Sequence, residues 1–307
     1  MDTTMIHSKG ALADSLTALL RSLEGKNRSE ATRHAYHTDL LQFFIWLKEN
    51  NVAATGPDKI TKVDVTEFLT ACARRGLSGV SRARKLAAIR EYYRYLVDHE
   101  IIAKSPTTGV ETPKKEQNIR KHLAPHEYNT VLSVAGGNTR DYAIFQVFLQ
   151  TGLRVSELCA LRLDDIELSA KPYPVLHVRL GKGMRARTIE LEKKAAQAIK
   201  NYLAMRAESN SDALFLNNHG EPIGERGVRK MVAKYIRQAG ISKRVSPHGL
   251  RHTSATEKAC KGVSPYQLQE WLGHARLDTT RIYVHLAKQH IGKAMKQTSS
   301  WLSLYSL

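Results

Sequence analysis

Residues 248–283 carry side chains whose types and spacing suit holding a phosphate and attacking it. The stretch reads His-Gly-Leu-Arg-His from His248 to His252, then Trp271-Leu-Gly-His274, then Asp278-Thr-Thr-Arg-Ile-Tyr283. Attack on a phosphodiester by a side chain needs fixed positive donors at the non-bridging oxygens, where negative charge builds in the transition state. Arginine suits that task, being always charged and able to give two hydrogen bonds to one phosphate. A nucleophile, a group to take its proton and an acid for the leaving oxygen complete the requirement. Arg251 follows His248 by three residues, so one helical face can hold both. His274 and Tyr283 supply a second imidazole and a hydroxyl. Upstream, Arg154 follows the Thr151-Gly152 helix stop and opens the next helix, where backbone N–H groups favour anions. Lys182 stands at the tip of a Gly181-Lys182-Gly183 turn that could enter a groove. Two arginines, two histidines, a lysine and a tyrosine make a phosphoryl-transfer set that requires no metal. Singly, each has a plainer reading: a tyrosine on an amphipathic helix is usually packing, and a lysine in a turn is usually solvated. His252 and His285 read as bystanders.

The remaining composition narrows the class. The chain has 307 residues, enough for two domains with a core each. Its hydrophobic content of 42% is that of a globular protein. Lys+Arg number 47 against 29 Asp+Glu, a net charge of +18, which favours a polyanionic partner such as nucleic acid. The 3 cysteines, Cys72, Cys159 and Cys260, are far apart and have no CxxC spacing, which argues against disulfides and thiolate zinc sites and fits a reducing cytoplasm. There are 13 histidines but no HExxH; His248 and His252 lack an acidic third ligand, so neither metal nor cofactor is expected. No apolar run approaches the ~18 residues of a membrane span, and no signal peptide is evident.

The elements that must position these residues follow from periodicity. Residues 11–23 read as a helix, and Ser29 as the cap of a second helix with Tyr36, Leu40, Phe43, Phe44 and Leu47 on one face. Further helices are expected over 63–75 and 81–99, the latter with Leu86, Ile89, Tyr93, Leu96 and Val97 inward. Residues 1–112 thus form an all-α bundle. Residues 113–121 close a stretch rich in Pro, polar and basic residues and form a basic linker, with a second domain over 122–307. That domain is expected to be mainly α: helices over 125–135 and 140–150, another from Arg154, and then 192–206, 226–239, 248–260 and 265–272. One small antiparallel hairpin interrupts them, pairing 175–180 with 185–191. Residues 213–216 read as a short buried strand. Asp278 can cap a last helix with Tyr283 in its second turn, and the tail looks helical to about 298.

Two helices offer basic faces. Arg84, Arg90 and Arg94 point away from the apolar side of the fourth helix. Arg226, Lys230, Lys234 and Arg237 share one side of the 226–239 helix, and residues 226–251 contain no acid. Solvated faces usually mix signs, so these residues are candidates for contact with a phosphate backbone.

Four segments together carry a resemblance: TGLRVSEL (151–158), GKG.R.R (181–187), HGLRHT (248–253) and LGHARLDTTRIYVHL (272–286). In this order they resemble the tyrosine recombinase, or phage integrase, family, and most of all its simple two-domain Xer-like members. The N-terminal segments SEATRHAYHTDLLQFFIWL and VSRARKLAAIREYYRYL are similar to the family's core-binding helices. The resemblance implies a helical core-binding domain and a catalytic domain that clamp a duplex, with the linker crossing it. Residue by residue, it implies Tyr283 as nucleophile, with Arg154, His248, Arg251 and His274 around the phosphate. Lys182 would act as general acid toward the leaving 5′ hydroxyl, with Glu157 ordering the site. The implied activity is site-specific recombination through a 3′-phosphotyrosyl intermediate and a Holliday junction, without ATP or metal. The implied partners are double-stranded DNA with inverted-repeat core sites and three further copies in a tetramer on two sites, in the cytoplasm at the nucleoid. A type IB topoisomerase would share the tyrosine and most of the phosphate-binding set, but not the full LGH…Y motif or the bundle.

Overall fold

In the computed structural model the chain divides into two compact units, Met1–Asn118 and Ile119–Leu307. The structure describes residues 11–50, 56–114, 122–179 and 186–274, together with Thr280 and Tyr283. The turn that carries Lys182, most of the 113–121 linker, His285 and the tail therefore lie outside the described residues.

The first unit is a bundle of α1 (Ala11–Gly25), α2 (Glu30–Glu49), α3 (Lys62–Arg74) and α4 (Gly79–Asp98). Side-chain oxygens start three of these helices by accepting orphan backbone N–H groups: Ser29 for α2, Thr61 for α3 and Ser78 for α4. At α3 the Asp64 carboxylate reciprocates by accepting the Thr61 N–H at 2.7 Å, a capping box. Leu40, Phe43 and Leu47 bury the inner stripe of α2, with Tyr36 and Phe44 partly buried at its margin. On α4 the stripe of Leu86, Ile89, Tyr93 and Leu96 is widened by Tyr92, whose hydroxyl pairs with Ser15 at 2.7 Å. A polar knot sits inside this bundle. Asp39 of α2 is 1% exposed, and Lys85 of α4 donates to it at 2.9 Å while also reaching Gln42. Arg84 adds a second cation to the same carboxylate.

The second unit is built on α6 (Thr139–Thr151), which follows α5 (Pro125–Ala135). Ala143, Ile144, Phe145, Val147 and Phe148 of α6 are fully buried. Around α6 pack α8 (Lys193–Met205) and α10 (Pro247–Cys260), while α9 (Glu225–Gln238) lies on α5 and α7 (Val155–Cys159). The sheet has three antiparallel strands in the order β1 (Ile166–Glu167), β2 (Val175–Val178) and β3 (Arg187–Glu190). The β2–β3 register places Leu176 opposite Ile189, both buried, and Val178 opposite Arg187. The expected hairpin is present and carries a third strand, β1. Residues 213–216 form isolated bridges, Arg162 with Ala213 and Leu216 with Pro222, in place of a regular strand. The last described helix, α11 (Pro265–Leu272), opens on Ser264 and Pro265 and stops at Gly273.

Candidate active site

Two glycines shape the site. Gly152 ends α6 and Gly273 ends α11, both with left-handed φ (60° and 64°) that a side chain would strain. They turn the chain sharply and aim the final carbonyls of the two helices inward. Space is short as well: a Cβ on Gly152 would lie 2.9 Å from the Trp271 ring.

Arginines meet those carbonyls. Arg251, in the second turn of α10, is 2% exposed; it donates to the Gly152 carbonyl at 2.6 Å and to the Leu272 carbonyl at 2.7 Å. Arg154, at the cap position of α7, donates to the Gly273 carbonyl at 3.0 Å. Helix C-termini carry partial negative charge, so these are favourable seats for guanidinium groups. Among the described residues, one carboxylate lies between them. Glu157 accepts from the Arg154 side chain at 2.8 Å and from the Arg154 backbone N–H at 2.8 Å. It also accepts two hydrogen bonds from Arg187, at 3.1 and 2.9 Å, and stands 3.9 Å from Arg251.

The charge balance follows from this geometry. Burial alone would push the Glu157 carboxyl up; the hydrogen bonds from Arg187 and the Arg154 N–H, with the two nearby positive charges, hold it below the usual carboxylate range. The Arg251 guanidinium is lowered to about 10, first by burial and then by the charge of Arg154, while Glu157 and Tyr283 pull it back up. Arg251 is therefore still a cation at neutral pH. Among the described residues, three guanidiniums around one carboxylate make the cluster net positive, as an anion site requires.

His274 follows Gly273 directly. Its Nδ1 pairs with the Thr280 hydroxyl at 3.0 Å, and its carbonyl accepts from Gln269 at 3.0 Å. Its ring stacks on Tyr283 at 6.5 Å between centroids. Tyr283 is 1% exposed and also meets the His252 ring at 5.0 Å. His122 stands edge-on to His252 at 5.7 Å, and the next residue, Leu123, donates its N–H to Thr253 at 2.9 Å. His248, in the first turn of α10, is exposed. The structure thus brings Arg154, Glu157, Arg251, His274 and Tyr283 to one place.

Two residues of this cluster escape a reading of the sequence. His252, a bystander by sequence, is buried against Tyr283; its position inside HGLRHT is the available signal. Arg187 lies inside the GKG.R.R segment, which by itself assigns it no role. The candidate DNA-contact residues divide. Arg84 is engaged with Asp39, Arg90 with the Val110 carbonyl and Thr112, and Arg94 with Glu91. Arg226, Lys230, Lys234 and Arg237 are exposed along α9, and among the described residues no ion pair forms on any of them.

Known proteins can be set beside this geometry. Residues 121–290 match the phage integrase family, and residues 16–100 match the phage integrase N-terminal SAM-like domain. The chain is 34% identical over 277 residues to tyrosine recombinase XerC of Anoxybacillus flavithermus, covering 87% of this chain and 90% of that one. The chain belongs to the phage integrase family, the tyrosine recombinases. Another member, tyrosine recombinase XerD of Listeria innocua, is 32% identical over 282 residues, covering 89% and 93% of the two chains. The tyrosine recombinase fold also appears in the XerH site-specific recombinase bound to a palindromic difH substrate. There the TM-score is 0.73 at 23% identity, over 94% of this chain and 90% of that one. A lambda integrase dimer on a COC′ core site gives 0.72 at 18% identity, over 87% and 96%. As a tyrosine recombinase this protein is a site-specific enzyme that binds DNA and breaks and rejoins its strands. Among the described residues no helix is long and apolar enough to cross a membrane.

Proposed function

We propose that Tyr283 is the nucleophile and that Arg154 and Arg251 hold the scissile phosphate it attacks. One observation carries this reading. Arg251 and Arg154, from elements far apart in the chain, grip the consecutive carbonyls of Leu272 and Gly273, and the next residue, His274, stacks on Tyr283. The guanidiniums supply positive donors for the non-bridging oxygens. His248 and His274 serve as hydrogen-bond and proton partners of the phosphate and the nucleophile, and Lys182 protonates the leaving 5′ oxygen. Glu157 orders the arginines. The Tyr283 oxygen bonds to phosphorus as the bond to the 5′ oxygen breaks, leaving a 3′-phosphotyrosyl linkage and a 5′ hydroxyl. A 5′ hydroxyl from the partner strand then attacks that phosphorus, forming a new phosphodiester as the bond to the Tyr283 oxygen breaks and the tyrosine takes back a proton. One phosphodiester is traded for another, so neither ATP nor a cofactor is consumed. Because Tyr283 is buried here, engagement of DNA must expose its hydroxyl before attack.

We extend the proposal to the wider assembly that the family resemblance implies. Residues 1–112 bind core DNA, 113–121 form the linker that crosses it, and 122–307 carry the chemistry. Exchange between two duplexes uses four protomers on two inverted-repeat core sites and passes through a Holliday junction, in the cytoplasm at the nucleoid. Arg226, Lys230, Lys234 and Arg237 contact the backbone in the second domain, and Arg84, Arg90 and Arg94 in the first.

A suicide substrate nicked beside the cleavage point tests the core of the reading. Wild type is expected to accumulate a covalent protein–DNA adduct, and Tyr283→Phe none. An adduct that persists in Tyr283→Phe would remove Tyr283 as nucleophile.

A further inference from the structure

We infer that Arg187 is a positioning residue for strand cleavage: it never touches DNA, but it holds Glu157 and the α11 terminus so that Arg154 and His274 meet the phosphate. The inference rests on the reading of Arg154 as a phosphate-holding residue. Arg187 opens β3, and its side chain is 7% exposed, so the guanidinium is sealed from a duplex. Its donors are committed inside the protein. Nε donates to the Trp271 carbonyl at 2.8 Å, and the two terminal nitrogens donate to the two oxygens of Glu157.

Those partners are also the partners of Arg154. One Arg154 nitrogen rests on Glu157, and another rests on the Gly273 carbonyl, two residues beyond Trp271. Arg187 lies against Gly273 itself, where a Cβ would come within 3.0 Å of its guanidinium. Arg154, by contrast, has a side chain 31% exposed. One guanidinium thus fixes both supports of another. It also fixes the turn from which His274 projects.

Arg187 has a second connection to the chemistry. It stands five residues after Lys182 in the sequence. Five residues of extended chain span at most about 17 Å. With Arg187 held at Glu157 and Trp271, the covalent chain keeps Lys182 within that distance of it. The geometry calls for arginine in particular. A planar fork can serve a carboxylate with two bonds and a carbonyl with a third, whereas an ammonium is a point charge on a flexible stem.

The test is Arg187→Lys, which keeps the charge and loses the fork, beside Arg187→Met in the full-length protein. DNA affinity is measured by titration of a core-site duplex, and adduct formation in single turnover on the nicked suicide substrate at saturating protein. Displacements near 1 Å cost on the order of 100-fold in rate. Arg187→Lys is therefore expected to lower the saturated rate about 10- to 100-fold while its dissociation constant stays within about twofold. Arg187→Met is expected to lose at least as much. Adding Glu157→Gln to Arg187→Lys is expected to lower the rate by less than the product of the two single effects, because both act through one carboxylate. A wild-type saturated rate in Arg187→Lys overturns the inference. So does a loss that appears only as weaker DNA binding or as a smaller folded fraction in a denaturation curve. Wild type and Tyr283→Phe run alongside: an adduct in Tyr283→Phe would defeat the nucleophile assignment whatever Arg187 does, and its absence leaves the Arg187 result to be judged alone.

Discussion

Helices α4 and α9 look alike as strings, each setting basic residues at helical spacing opposite an apolar stripe, yet the structure employs them differently. On α4 the cations turn back on their own chain. Lys85 and Arg84 converge on Asp39, Arg90 secures the Val110 carbonyl, and Arg94 pairs with Glu91 one turn away. On α9 the row of Arg226, Lys230, Lys234 and Arg237 stays exposed; the helix's own ion pair joins Arg229 to Glu225, off that row. For Lys85 and Arg84 the cause is one residue in another helix. Asp39 sits on the buried side of α2, and a charge out of water demands a partner. The buried acid recruits two cations of α4, and Arg90 and Arg94 find local partners instead.

Three measurements can break or sharpen this contrast, and the largest effect concerns Asp39. Asp39→Ala leaves Lys85 buried without its anion, which typically costs about 3–5 kcal/mol. Urea unfolding of the full chain should show that loss, and a change under ~1 kcal/mol would mean the knot in the bundle is not what occupies the α4 cations. Next comes α9. Replacing Arg226, Lys230, Lys234 and Arg237 together by Ala should leave stability nearly untouched. The salt dependence of DNA binding should flatten by about 0.9 in slope for each phosphate no longer neutralised, a total near 3.6. An unchanged slope would return this face to plain solvation. The smallest effect is expected at Arg94. Its side chain is 61% exposed and its pair with Glu91 is screened, so Arg94→Ala should change stability by less than ~1 kcal/mol. It should also lower the salt slope by at most about one unit. A larger stability loss would make Arg94 a structural tie like Lys85.

Much of the architecture is legible from periodicity and capping. The stripes on α2 and α4, the Ser29 and Ser264 caps, and the hairpin are where apolar spacing and turn residues put them. The site is legible as a set because four segments occur in order. What escapes depends on tertiary partners. Strand β1 is two residues long and exists by pairing with β2, so no local pattern announces it. The 213–216 segment is apolar enough for a strand, but its neighbours offer it only isolated bridges. Asp39 interrupts an apolar stripe, and nothing nearby in sequence says that Lys85 will reach it. Arg187 reads as one more positive charge near a turn until the fold brings Glu157 and Trp271 to it.

Gly152 has a mechanical consequence. The α-hydrogen that stands where a Cβ would be is the clearance between the end of α6 and the Trp271 ring. The two residues after Trp271 carry the carbonyls that seat Arg251 and Arg154. A methyl group at position 152 would push on that ring and, through it, on both seats at once. The whole positive cluster is thus assembled to a tolerance smaller than one carbon atom, and that tolerance is set by a residue with no functional group of its own.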